Sequence, residues 1–267
     1  MRLAWEFFKR DARIALSYKA AFSVQILGNL LLLGIFYFIG QLVDRSDNPM
    51  MSQYGGSYLA FILIGLALGD CAGVSLTTFA GQIREGQLTG TLEATLLSPV
   101  PLPVILVYSS LWSYFLSAFR FVLYVGLGAL LYGVSLHQAN ILSTLAIFAL
   151  TILCFAGIGI LWASVIMLLK RGEAILTTVG FIVILVSGVL FPRSLLPGWI
   201  QTLAELVPLT HALDGMRLAI LHGDGIGDLG IVFWKLAVFA VVLPVLGFTA
   251  FNRAVTLAKQ RGSLVEY

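Results

Sequence analysis

Beyond its 13 carboxylates, this 267-residue chain offers three histidines and two cysteines for acid–base, nucleophilic or metal chemistry. His137, His211 and His222 all fall outside the long apolar runs. Cys71 and Cys154 sit inside such runs, without metal-site or disulfide-framework spacing, and read as small buried hydrophobes. A hydrolase working at membrane depth needs a nucleophile beside a base, and no Ser/His pair or metal cluster meets that need. A GxxxxGK[ST] phosphate loop is also missing. Two charges remain inside apolar runs, Asp70 and Arg120. Each costs free energy there unless it faces a partner or a polar cavity. They serve either as glue between helices or as the lining of a polar path.

The elements that would position these groups are set by composition. Hydrophobic residues make up 59% of the chain and charged residues 11%, against about a quarter charged in soluble domains. Mean hydropathy is +0.97, so lipid must act as solvent. Six apolar stretches are long enough to span, since about 20 helical residues cross the hydrocarbon core. They lie at 20–43, 57–80, 103–132, 141–169, 173–191 and 231–251. The runs are continuous rather than alternating, which excludes barrel strands. The chain therefore reads as an all-α integral membrane protein with six transmembrane helices. By these limits Asp70 stands roughly 15 Å, and Arg120 roughly 26 Å, from the inner ends of their spans. A direct pair then needs tilt or a long reach.

With the N-terminus inside, the inner segments hold eleven Lys and Arg, from Arg2 to Arg261. The outer ones hold Arg45, Arg193, Arg217 and the borderline Lys235. This bias predicts both termini in the cytoplasm. The first charged turns run too long for a cleavable signal peptide. Residues 1–19 read as an interfacial helix, amphipathic from Arg2, with Lys9, Arg10 and Arg13 opposite Leu3, Phe7 and Ile14. Asp11 breaks the pattern, either as an exposed or locally paired acid or as a contact for a cytoplasmic partner.

Span two carries Gly65, Gly69, Gly73, Thr77 and Gly81 at four-residue spacing, a stripe that lets another helix approach. The inner loop after it, 82–99, has Leu88, Leu92, Leu96 and Leu97 on one face of a short helix closed by Pro99. Such a helix either docks in a partner's groove or lies on the membrane. Between spans five and six, Trp199, Ile200, Leu203, Leu206 and Val207 form one short helical pattern, which Pro208 ends. Leu209, Leu213, Met216 and Ile220 form another. Each is too short to span, so this segment reads as an external re-entrant helical hairpin over 194–221, a fixed cap or a lid. Aromatics near the outer ends of spans one and two (Phe36, Tyr37, Phe38, Tyr54 and Tyr58) fit an interfacial belt, with a sugar-stacking track as the alternative.

Three patches in order resemble the ABC-2 type transporter permease family. The first is Glu85, then Gly90-Thr91-Leu92-Glu93, then Pro99. The second is Ser187-Gly188-Val189-Leu190-Phe191-Pro192, followed by Leu196-Pro197-Gly198-Trp199. The third is Pro208-Leu209-Thr210 with Asp214 and Arg217. The resemblance covers nearly the whole chain and implies a single transmembrane domain over 1–267 in a bacterial cytoplasmic (inner) membrane. It implies a half-transporter, not itself an enzyme, that pairs with a second permease copy, most simply as a homodimer. It would be driven by a separate ABC ATPase subunit that holds ATP and Mg, so this chain needs no cofactor or metal. Residues 86–97 would be the coupling helix, with Glu85, Leu88, Gly90, Thr91, Leu92 and Glu93 carrying the contact. Leu88 and Leu92 would fill the partner's groove. The hairpin, with Pro192, Pro197, Gly198, Trp199, Pro208, Asp214 and Arg217, would gate the outer side, and spans one and five would form the dimer contact. The implied function is export of an amphiphile, either a lipid-linked glycan or a hydrophobic small molecule. Lipid is an expected partner; nucleic acid is not.

The rival reading is an ion-coupled secondary transporter or channel that uses Asp70 and Arg120 and needs no ATPase. An intramembrane enzyme lacks its nucleophile, and a scaffold leaves the inner-loop helix without a purpose.

Overall fold

The computed structural model describes residues 2–44, 57–133, 137–168 and 173–261. The expected loop positions Arg45, Tyr54, Lys170 and Arg171 lie outside them. Among the described residues every regular element is helical: α1 (Arg2–Ser17), α2 (Lys19–Asp44), α3 (Tyr58–Leu88), α4 (Leu92–Leu96) and α5 (Leu102–Tyr132), then α6 (Ile141–Leu168), α7 (Glu173–Val186), α8 (Gly198–Ala204), α9 (Pro208–Arg217) and α10 (Gly230–Arg261). Local chemistry sets several ends. The Ser57 hydroxyl accepts from the Ala60 amide at the start of α3. Pro101 precedes α5, and Gly133 closes it with a left-handed φ of 69°.

Among the described residues, four helices are long and apolar enough to cross a membrane: α3, α5, α6 and α10. The apolar stretches Leu30–Val43 of α2 and Ala174–Val186 of α7 are shorter. The helix within the fifth expected span, 173–191, ends before the span does. α7 stops at Val186, five residues early, and its 14 residues cover roughly 21 Å. The Ser187 hydroxyl turns back to the Val183 carbonyl at 2.6 Å. Gly188 then takes φ +81°, which a side chain resists. The apolar run Val189-Leu190-Phe191 continues as a bend rather than a helix. Span two is corrected the other way, since α3 runs on to Leu88.

α6 is the central post. Gly159 lies against the Ser75 carbonyl and Phe79 of α3, and Gly157 lies against the backbone of Leu243 and Pro244 in α10. Gly247 returns the contact at the Gly157 carbonyl. The expected glycine stripe of α3 is used only at one end. Gly65 and Gly69 meet Val189, in the bend after α7, while Gly73 and Gly81 have no such neighbour within 4 Å. Within the chain, the segment that approaches Gly65 and Gly69 is this bend. α2 lies outermost, with Val24, Leu31, Phe38 and Leu42 exposed.

Candidate functional site

The intramembrane charges meet. Arg120 Nε lies 2.8 Å from Asp70 Oδ2, and both side chains are at most a quarter exposed. The expected difference in depth vanishes because α3 extends to Leu88 and α5 starts at Leu102. Each residue then sits eighteen positions, roughly 27 Å, from its α4-side helix end.

At the α4 end, α3 closes with Thr89, whose hydroxyl bonds the Glu85 carbonyl at 2.8 Å. Gly90, at φ +68°, reverses the chain, and the Thr95 hydroxyl holds the Thr91 carbonyl at 2.9 Å. The coupling segment expected over 86–97 is therefore the last turn of α3, a turn, and a five-residue helix. Glu85 and Thr91 are exposed, and Leu88 is 64% exposed. Leu92 is not available to a partner, contrary to expectation: it is 3% exposed and packs back on Gly86. Gly86 leaves the space that draws Leu92 inward. The outward apolar groups are instead Leu88 and Leu97, the latter 86% exposed. The Glu93 side chain lies outside the described residues.

α1 reaches this end through aromatic packing. Phe8 meets Trp112 and Phe115 of α5 edge-on at 5.3 and 5.5 Å, and Phe7 meets Tyr108 at 6.2 Å. Phe7 and Phe8 of its apolar face are thus packed on protein, while Leu3, Trp5 and Ile14 stay exposed. Asp11 is the locally paired acid, with Oδ1 2.7 Å from Arg10 Nε, and Arg10 Nη2 reaches Ser109 Oγ at 3.3 Å. Between α1, α3, α4 and α5 lies a cavity of about 550 Å³. Its walls carry Arg10 and Asp11, Gln82 and Glu85, Thr91 and Thr95, and Ser109, Trp112 and Ser113. Asp11 Oδ2, Gln82 Oε1 and Trp112 Nε1 are buried there without a hydrogen-bond partner among the described residues. Gln82 and Trp112 are not among the expected site residues; Ser109, Trp112 and Ser113 stand at helical spacing in an otherwise apolar run.

At the opposite end, the two arms of the hairpin differ. α9 is core: Pro208, Leu209, Leu213 and Met216 are buried, and Gly215 sits on Ile147 of α6. α8 turns Trp199 and Leu203 outward, with Pro197 at its start and Pro192 buried before it. The helical hairpin expected over 194–221 thus has a seated arm and a surface arm. Arg217, expected at a gate, is 3% exposed. Its Nη2 donates to the carbonyls of Gly188 at 2.9 Å and Phe61 at 3.3 Å, and its guanidinium lies 3.5 Å over the Phe61 ring. It staples α9 to α3 and to the bend after α7.

Glu205 organises the surface arm. It accepts from Lys235 Nζ at 2.6 Å and Arg193 Nη1 at 3.0 Å. The Lys235 hydrogen bond holds its carboxyl below the usual range, with burial opposing. Arg193 also reaches Asp214 at 3.3 Å. Burial pushes the Asp214 carboxyl up, against the lowering pull of Arg193 and Arg217. Among the described residues no three His, Cys, Asp or Glu side chains form a metal cluster.

Long apolar helices, a polar junction at one end and a folded cap at the other define a membrane-embedded helical protein. Residues 1–221 match the ABC-2 type transporter family model, and the chain belongs to that family. It is similar to nodulation protein J of Sinorhizobium fredii strain NGR234, at 27% identity over 255 residues covering 89% of each chain. It is also similar to nodulation protein J of Rhizobium leguminosarum bv. viciae, at 28% over 244 residues covering 89% of this chain and 90% of the relative. Rhizobium meliloti nodulation protein J matches at 25%. Membership makes the chain a membrane-embedded transport subunit, distinct from the ATPase with which such permeases pair.

Proposed function

We propose that this chain is the permease half of an ATP-driven exporter in a bacterial inner membrane. Two copies would form the path for an amphiphile, either a lipid-linked glycan or a hydrophobic small molecule, with both termini cytoplasmic. The whole of 1–267 would be one transmembrane domain of six crossings; the interlock of α10 with α6 supports counting the last helix with the rest. ATP and Mg would sit on the separate ATPase, which docks on α4. The observation that carries this reading is the family match together with the built turn at Glu85–Thr95, which offers Glu85, Leu88 and Thr91 to a partner. Gly90 shapes the turn, Leu92 braces it from inside, and Glu93 belongs to the same helix. ATP must favour one transporter state, and α4 would pass that bias into α3 and α5. At the far end, the arm holding Trp199 and Glu205 would gate the exit, while α9 with Asp214 and Arg217 frames it. The secondary-transporter alternative needs a carboxylate free to take an ion, and Asp70 is held by Arg120.

The test is affinity purification of the tagged chain from native membranes in mild detergent. A soluble phosphate-loop ATPase is expected in equal amounts. The chain arriving without one, with transport persisting without ATP, would overturn the reading and move attention to Asp70 and Arg120.

A further inference from the structure

The surface arm of the hairpin is built as a closed flap. It runs from Arg193 to Val207 between two buried prolines, Pro192 and Pro208. Its ends meet, since Arg193 Nη1 lies 3.0 Å from Glu205 Oε1. Surface segments with ends this close are compact units and are frequently functional. Little apolar contact seats the flap. Leu195, Trp199, Leu203 and Leu206 are exposed, and Ala204 is the buried residue of α8. The seated arm differs, because Leu209, Leu213 and Met216 anchor α9 in the core.

Polar ties hold the flap instead, and they converge on Glu205. Its carboxylate takes Lys235 of α10 and Arg193, and its carbonyl lies 2.9 Å from His211 Nε2 of α9. Arg193 adds a contact to Asp214 of α9. The Arg193, Glu205 and Lys235 side chains are 33%, 42% and 44% exposed. Water therefore screens both Glu205 pairs, and each is weak on its own. Ties of this strength suit a contact that breaks and re-forms. Lys235 belongs to α10, which interlocks with α6 at Gly157 and Gly247, whereas the chain enters the flap from α7. The contact thus binds the flap to a helix pair other than the one it grows from.

We propose that Glu205 is the latch of a flap spanning residues 193–207, which Lys235 and Arg193 hold shut and which swings about Pro192 and Pro208 when those ion pairs part. The inference rests on the reading of this arm as the exit gate and names what keeps that gate closed.

The test introduces Ala204→Cys into a chain carrying Cys71→Ala and Cys154→Ala, purified with its ATPase in phosphatidylcholine nanodiscs. The rate at which a water-soluble maleimide modifies this thiol reads how often the flap opens. Lys235→Met and Arg193→Met should each speed modification about fivefold, the upper end for an exposed ion pair. Loss of a nearby cation by itself raises a thiol pKa and slows the reaction, so a gain in rate reports opening. Lys235→Arg keeps the charge and should stay near the starting rate. Unchanged rates in both Met variants overturn the inference. Equal acceleration at Leu213→Cys, buried on the seated arm, also overturns it, because the whole cap then loosens. ATP and Mg separate the latch from the gate. Modification that speeds on turnover but ignores both Met variants upholds the gate and removes the latch. Modification that follows the variants but not the nucleotide upholds the latch and removes the gate.

Discussion

Arg120 on α5 holds Asp70 on α3 through a 2.8 Å contact between Nε and Oδ2. Two helices are thereby pinned at one depth by opposite charges. Removing one partner strands the other in a poorly solvated place. Asp70→Asn or Arg120→Gln should each cost about 2 kcal/mol, less than for a fully buried pair because both groups are partly exposed. The double variant should recover much of the loss. A double-mutant cycle by thermal unfolding in detergent measures this, and additive losses would show the pair to be uncoupled.

Leu88 and Leu92 lie on one face by spacing, yet they should fail differently. Leu88 is exposed and Leu92 buried. Leu88→Asp should leave the permease folded and reduce the ATPase that co-purifies with it by at least about tenfold, as the loss of an apolar interface contact permits. Leu92→Ala should instead lower permease stability by about 2–4 kcal/mol. Size-exclusion profiles and subunit ratios from one preparation separate the two effects.

Glycines of similar appearance should respond oppositely. Gly159→Val drives a branched side chain toward the Ser75 carbonyl and should cost at least about 2 kcal/mol through overpacking. Gly73→Ala meets nothing within 4 Å and should be neutral or stabilising by up to about 1 kcal/mol. Melting temperatures of the two variants decide it.

The Glu205 network should respond to acid. Its folded-state pKa is lowered from 4.5, so its contribution is present above that value and is lost as pH falls through the lower folded value. Asp214 is shifted upward from 3.8, so its contribution runs the other way: present in acid and lost as pH rises through its raised value. Glu205→Gln should therefore flatten the acid-side fall in melting temperature, whereas Asp214→Asn should not. An unchanged acid limb in Glu205→Gln would remove the network from the account.

The helical class and most helix positions could be read from hydropathy alone, because lipid forces long apolar runs into helices. The end of α7 was hidden because Val189-Leu190-Phe191 stays apolar through a turn that Ser187 and Gly188 make. The Asp70–Arg120 contact was obscured by a boundary. Gln82, Arg84 and Glu85 lower the hydropathy, while the helix itself continues to Leu88. Leu92 was misjudged because periodicity gives a face and not what covers it; Gly86 decides that. The cavity residues were out of reach, since Asp11 and Trp112 are a hundred positions apart and meet only through the aromatic packing of α1 on α5.

Gly157 and Gly159 press backbone against backbone on two sides of α6. A slide of α6 by one residue would drive a side chain into a carbonyl of α3 or α10. These three helices therefore move as one body. A stroke that α4 passes into α3 would carry α6 and α10 with it, and α5 through Asp70 and Arg120, as a crank turns a whole shaft.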